Sequence, residues 1–182
     1  MDWASRSRRT SKTLLEESQT MDTQLVRTAD MIGAITANIY FMLIISVFSM
    51  RLVGRPEVGR WIGLTSFLVV VPLIYLFVNA FQTNRSHIYF LWLGLMILFL
   101  FAELLIDYVL KLEFRSVRWA TILYVIFFFG ATGGMIGVAG QAGKWWTAAT
   151  ILTFLVMAAM AFVQRAKTGL YPLSPPNNRA FC

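Results

Sequence analysis

The residues whose types and spacing could support chemistry lie near the end of a long apolar run. Glu103, Asp107 and Lys111 follow one another at intervals of four residues, so they share one face of a helix. The run that carries them, residues 88–110, is apolar and long enough to cross a bilayer. Charged groups at membrane depth are costly and usually mark a functional or tightly paired position.

The carboxylate pair has three interpretations. The first is a structural ion-pair network with the basic residues expected at the same end of the bundle, which are Arg51, Arg60, Lys111 and Arg118. The second is a proton or cation site that opens towards the cytoplasm, in which Glu103 matters more because it is the deeper carboxylate. The third is a pocket for a cationic amphiphile.

The composition indicates an integral membrane protein. Of the 182 residues, 58% are hydrophobic and 14% are charged, whereas soluble domains are about half apolar and a quarter charged. Five apolar blocks are each long enough, at about 1.5 Å per residue, to cross roughly 30 Å of hydrocarbon. They are residues 31–53, 61–81, 88–110, 117–139 and 145–163. We therefore predict an all-α integral membrane helical bundle of five transmembrane helices within residues 29–167.

Polar segments flank the predicted bundle. Residues 1–28 alternate in charge and carry a roughly helical apolar stripe, which predicts either an interfacial helix or a solvated tail. Asp30 stands at the start of the first span, where a carboxylate suits a helix N-terminus. Residues 168–182 contain Pro172, Pro175 and Pro176 and predict an extended tail.

Two amides and one proline interrupt the first two spans. Asn38 and Asn79 are expected to form hydrogen bonds between helices, and a polar ligand site is the alternative. Pro72 should kink the second span and leave one carbonyl without its usual partner. Such a carbonyl could line a polar cavity.

The fourth span is rich in glycine. Gly130 and Gly134, and likewise Gly133 and Gly137, are spaced as small residues that allow close helix packing. We expect this stripe to contact the alanines of the fifth span or a second copy of the chain. A backbone-lined cavity or a hinge is the alternative interpretation.

The distribution of basic residues predicts the orientation in the membrane. The side with the loop after the first span, the loop after the third span and the C-terminal tail has nine basic residues, against seven on the other side. Most of those seven lie far from a span, in the N-terminal segment. The N-terminus is therefore expected outside and the C-terminus in the cytoplasm, in a plasma or inner membrane.

Several function classes are disfavoured by the sequence. One cysteine, Cys182, and one histidine, His87, exclude a disulfide within the chain and a multi-histidine metal site from a single chain. Motifs of serine hydrolases, P-loop enzymes, zinc proteases and dithiol redox enzymes are absent. An enzyme is disfavoured, although a carboxylate-dependent membrane isomerase or lipid enzyme stays open. No cofactor is indicated.

Two functions remain, from different classes. The first is a non-enzymatic accessory or scaffold subunit, or a binding module for a small hydrophobic ligand. The second is an oligomeric proton- or cation-coupled transporter or channel that uses Glu103 and Asp107. The expected partners are membrane lipids, and further copies of the chain or a larger membrane complex. The net charge of +7 is attributed to topology and anionic lipids rather than to nucleic acid.

Overall fold

The computed structural model describes residues 3–105 and 118–169 and is an all-α bundle. Its helices are α1 (Trp3–Leu52), α2 (Pro56–Ser66), α3 (Val70–Gln82), α4 (His87–Glu103), α5 (Arg118–Gln141) and α6 (Lys144–Gly169). A short 3-10 helix, Phe67–Val69, joins α2 to α3. The bundle is therefore built from five long helical segments that succeed one another along the chain.

Four of these segments are long and apolar enough to cross a membrane: Gln19–Leu52, Pro56–Gln82, Ile122–Gln141 and Lys144–Gln164. The fifth, α4, has 17 described residues, and at about 1.5 Å per residue it is roughly 26 Å long. Residues 106–110 of the predicted third span lie outside the described residues, as do the following loop and residues 170–182. The predicted all-α helical membrane bundle is confirmed.

Helix α1 differs from the predicted first span because it continues through Asp30. It runs for 50 residues from Trp3 to Leu52, so the segment 1–28 and the first span share one helix over the described residues. Asp30 is consequently an interior helical residue and not the first residue of a helix. Its carboxylate is paired with Arg85, which explains how a charge is tolerated at this point in α1.

The predicted second span changes its helical geometry one turn before Pro72. The α-helical pattern tightens to a 3-10 helix over Phe67–Val69, which is where the missing N–H of Pro72 would have donated. The carbonyls of Phe67 and Leu68 both accept backbone hydrogen bonds at this turn. The proline therefore alters the helix as expected, but Leu68 recovers a partner through the tighter turn.

Helices α1 and α5 occupy the centre of the bundle. Helix α1 packs mainly on α6, α2 and α5, and α5 packs mainly on α4 and α1. The largest fully buried side chains include Tyr40 and Phe41 of α1, Phe99 of α4 and Met135 of α5. Large apolar side chains elsewhere, such as Leu68, are exposed. Apolar side chains on the outer surface as well as in the core are expected of a bundle whose outer surface faces lipid.

Candidate functional site

A cavity of about 370 Å³ lies between the C-terminal end of α1, helix α2 and the end of α4. Three kinds of side chain share its wall. The charged side chains are those of Arg51, Arg60 and Glu103, and Ser66 contributes a hydroxyl. The other lining residues are apolar or glycine: Ile44, Val47, Pro56, Gly59, Gly63 and Phe67. Its volume lies in the range of small-ligand pockets, and it is about half open to the outside.

The cavity follows from the spacing of residues on two helices. Ile44, Val47 and Arg51 recur at intervals of three and four residues on α1, and Gly59, Gly63 and Ser66 do so on α2, so each set lies on one helical face. A β-carbon on Gly59 would lie 3.3 Å from the carbonyl oxygen of Val47. The absence of a side chain at Gly59 therefore allows α1 and α2 to approach closely beside the cavity.

Glu103 belongs to a polar cluster at the wall of the cavity. The Tyr124 hydroxyl donates to Glu103 Oε1 at 3.5 Å, and the Tyr40 hydroxyl is close enough to both groups to interact with them electrostatically. Tyr40 is fully buried on α1, one turn from Ile44. Among the described residues, none is a hydrogen-bond partner of the Tyr40 hydroxyl.

The charges of the cavity are of both signs. Two guanidinium groups, those of Arg51 and Arg60, and one carboxylate, that of Glu103, line it. Within residues 3–105 and 118–169, no three histidine, cysteine or carboxylate side chains are grouped so that they could hold a metal ion. The charged side chains and the Ser66 hydroxyl of the lining can recognise a ligand by charge and hydrogen bonding.

Part of the predicted polar cluster is thus brought together. Arg51, Arg60 and Glu103 line one cavity, whereas Asp107 and Lys111 lie outside the described residues. The predicted face shared by Glu103, Asp107 and Lys111 consequently stays a prediction.

Asn38 lies away from the cavity and joins α1 to α6. Its Nδ2 donates to the Ala34 carbonyl at 2.8 Å and to Thr150 Oγ1 at 2.9 Å. Its Oδ1 accepts from the Thr153 hydroxyl at 3.2 Å. Both ends of the amide are therefore used in hydrogen bonds, two of which join α1 to α6, and the alternative of a polar ligand site at Asn38 stays a prediction.

Asn79 and the Asp30–Arg85 ion pair lie at the opposite end of the bundle from Glu103. Asn79 is buried near the end of α3, and its backbone carbonyl accepts the Thr83 hydroxyl at 2.9 Å. Arg85, from the turn after α3, pairs with Asp30, donates to the Val26 carbonyl at 3.3 Å and lies 5.1 Å from the centre of the Tyr89 ring. Glu103 and Asn79 therefore do not form one site.

Three glycines of α5, Gly130, Gly134 and Gly137, lie against α4, whereas the expected contacts were the alanines of the fifth span or a second copy of the chain. A β-carbon on Gly130 would lie 3.1 Å from Leu95, and one on Gly134 would lie 3.2 Å from the backbone of Trp92. Gly137 lies beside the ring of Trp92. Gly133 differs, because it is exposed and a β-carbon there would meet nothing within 4 Å.

Three residues of the site were not singled out from the sequence. Tyr40, Ser66 and Tyr124 belong to three different segments, and no local motif connects them. A weak signal does exist in α1, where Tyr40, Ile44, Val47 and Arg51 have the spacing of one helical face. Of that face, Ile44, Val47 and Arg51 line the cavity, whereas Tyr40 is fully buried outside the lining.

A comparison of the chain with protein-family models, with curated proteins and with solved structures finds no match. Its function must therefore be inferred from the residues of the bundle and their geometry.

Proposed function

We propose that the chain is a membrane-embedded binding protein that holds a small amphiphilic ligand in the cavity between α1, α2 and α4. The observation that carries this proposal is the combination of one volume of about 370 Å³ with Arg51, Arg60 and Glu103 on its wall. Apolar side chains, among them Ile44 and Phe67, supply the remaining surface. A ligand with a charged group and an apolar body matches both parts of this lining.

The charged side chains of the lining determine how a ligand would be held in the cavity. Guanidinium and carboxylate groups withdrawn from water are stable only when they are paired or hydrogen-bonded. In this lining Arg51 and Glu103 are half-buried and Arg60 is exposed, so a ligand can exchange with the solvent or the intramolecular partners of these groups. Binding therefore draws its specificity from polar contacts and its affinity from the apolar lining.

Native mass spectrometry of the gently extracted full-length chain tests the proposal. We expect a ligand-sized mass to remain bound to each chain and to be lost in Gly63→Leu, because the new side chain would project into the cavity. Gly94→Leu is the matched control, since a β-carbon at Gly94 meets nothing within 4 Å. Ser66→Leu fills the same cavity from a second position.

Retention of the same mass in both Gly63→Leu and Ser66→Leu contradicts binding in this cavity. The absence of any bound mass from the wild-type chain, in detergent and in lipid nanodiscs, contradicts a binding function. Thermal unfolding of each variant is measured in parallel, so that loss of ligand is separated from loss of fold.

Proton- or cation-coupled transport by an oligomer is the second candidate function. It is favoured by the position of Glu103, whose carboxylate lines the cavity while accepting from the Tyr124 hydroxyl. This function predicts that Glu103→Gln abolishes pH-dependent flux in proteoliposomes, whereas the exposed carboxylate variant Glu57→Gln retains it. Full flux in Glu103→Gln would remove Glu103 as the coupling group.

A further inference from the structure

We propose that α1 pairs in parallel with the α1 of a second copy of the chain, as a two-stranded coiled coil that crosses the membrane and continues beyond it. The surface that pairs is a stripe of positions spaced alternately three and four residues apart along the helix. This α1 stripe consists of Ala4, Ser7, Ser11, Leu14, Ser18, Met21, Leu25, Thr28, Ile32, Ile35, Ile39, Met42, Ser46 and Ser49. It does not include Ile44, Val47 or Arg51, which are the residues of α1 that line the cavity. The pairing is therefore independent of the proposed ligand binding.

The charged residues of α1 all lie off this stripe. The helix contains ten of them: Arg6, Arg8, Arg9, Lys12, Glu16, Glu17, Asp22, Arg27, Asp30 and Arg51. When the helix is divided into heptads, five of the seven positions carry at least one charged residue, and the two that carry none are the two positions of the stripe. Two uncharged positions at this spacing correspond to the a and d positions of a coiled coil. The pattern extends over more than six heptads, whereas about three or four are sufficient to indicate a coiled coil.

The bundle leaves much of the stripe uncovered. Within the membrane-spanning part of α1, Ile35, Ile39 and Met42 are exposed, whereas Ala37 and Phe41, which lie between them in the sequence, are fully buried. The other stripe residues of this part are half-buried: Ile32, Ser46 and Ser49. The helices that pack on α1 therefore contact mainly its other faces.

Lipid alone does not account for the stripe. Hydrocarbon chains can cover Ile39 inside the membrane, where exposed apolar side chains are expected. Met21 lies nine residues before Asp30, roughly 13 Å farther along the helix. Its side chain is 65% exposed, and the polar side chains of Gln19 and Gln24 nearby are exposed as well. In water, an apolar side chain at this point is stabilised by contact with another protein surface. A lipid surface also imposes no repeat of seven residues, whereas a partner helix does.

The partner must be a helix of the same kind as α1. It has to cross the membrane and continue beyond it for the length of the stripe, and α1, with 50 residues, has that length. Copies of one chain share their orientation in a membrane, so two α1 helices meet in parallel, about a two-fold axis normal to the membrane. Each stripe residue then faces the same residue of the second copy. Ser46 and Ser49 are small, as residues at close contacts between membrane helices often are.

Disulfide cross-linking of the full-length chain in membranes tests this pairing. In a Cys182→Ser background, Thr28→Cys and Ile35→Cys should each form a covalent dimer with copper phenanthroline, because facing residues of a parallel coiled coil lie within reach of a disulfide. Thr23→Cys is the matched control for Thr28→Cys, since both threonines are exposed on α1 but Thr23 lies on the face opposite the stripe. Val71→Cys, which is exposed on α3, is the control for Ile35→Cys.

A second pair of variants tests the copy number without cysteine chemistry. Native mass spectrometry of the wild-type chain in lipid nanodiscs should give the mass of two chains. Leu25→Lys should give the mass of one, because the two copies would place ammonium groups opposite each other. Thr23→Lys adds the same charge off the stripe and should keep the mass of two chains. Leu25 is exposed on the surface of the single chain, so its replacement leaves the core of the bundle intact.

The results that would overturn the inference are specific. A mass of one chain for the wild type, or a complex with a different chain, excludes pairing between copies. Equal cross-linking of Thr28→Cys and Thr23→Cys would show random collision, and a mass of two chains in Leu25→Lys would place the interface elsewhere. Cross-linking of Thr28→Cys without that of Ile35→Cys would contradict pairing within the membrane.

Discussion

The indole ring of Trp92 occupies the place where a side chain on Gly137 would begin. An ideal β-carbon on Gly137 would lie 2.8 Å from three atoms of that ring, closer than unbonded carbon atoms approach. One turn earlier, Gly134 faces the backbone of the same tryptophan. The contact between α4 and α5 therefore depends on the absence of side chains at these two glycines.

The first prediction concerns this contact. Gly134→Leu should destabilise the fold by about 1–3 kcal/mol or more, because the backbone of Trp92 cannot move aside without separating α4 from α5. The free energy of unfolding is measured by denaturant titration in mixed micelles. Gly133→Leu is the matched control, since its new side chain meets open space. Equal losses in the two variants would show that packing on α4 is not the cause.

The second prediction concerns the amide that joins α1 to α6. Asn38→Leu should cost about 1–2 kcal/mol of unfolding free energy, a typical value for polar contacts between membrane helices. A double-mutant cycle with Thr150→Val should give a coupling of roughly 0.6–1.7 kcal/mol. Thr65→Val is the control partner, because Thr65 bonds only to a carbonyl of its own helix in the described contacts. Zero coupling between Asn38 and Thr150 would contradict the hydrogen bond between them.

The third prediction concerns the ion pair at the other end of the bundle. The side chains of Arg85 and Asp30 are 15% and 10% exposed, so removing one charge leaves the other poorly solvated. Asp30→Asn alone should cost about 3 kcal/mol. Combining Asp30→Asn with Arg85→Gln should cost clearly less than the sum of the single changes, as measured by the same titration.

Arg27→Gln provides the control for that series, because Arg27 is exposed on α1 only one turn before Asp30. Its unfolding free energy should change by less than about 0.5 kcal/mol. Additive costs for the Asp30 and Arg85 variants would show that the pair contributes little as a pair.

The fourth prediction concerns the orientation in the membrane. In a Cys182→Ser background, Ser86→Cys should react with an impermeant maleimide added to intact cells, and Val53→Cys should not. Both positions are exposed, and they lie before and after the segment Pro56–Gln82, so we expect them on opposite sides of the membrane. Labelling of Val53→Cys alone would show that the orientation is the reverse of the predicted one. Equal labelling of both variants would indicate a mixed topology.

The helices were predictable because apolar runs of membrane length have few other uses. The start of α1 was not predictable, because a carboxylate before an apolar run is the usual signal for a helix N-terminus. What stabilises Asp30 inside a helix is Arg85, which is 55 positions away. A local pattern cannot reveal a partner at that distance along the chain.

The candidate site was predictable only in part, for a related reason. Spacing shows that Gly134 and Glu103 each lie on a particular face of a helix, but not which helix that face meets. The glycine face meets α4, and the Glu103 face meets Tyr124. The cavity is formed by residues from three segments, so its lining depends on how the helices pack.

The length of α1 has a mechanical consequence. A helix of 50 residues is about 75 Å long, so about 45 Å extends beyond a hydrocarbon layer of roughly 30 Å. Arg85 holds α1 about midway along its length, through Asp30 and the Val26 carbonyl. Ile44, Val47 and Arg51, which line the cavity, follow on the same helix, so a tilt of α1 about this ion pair would move one wall of the cavity.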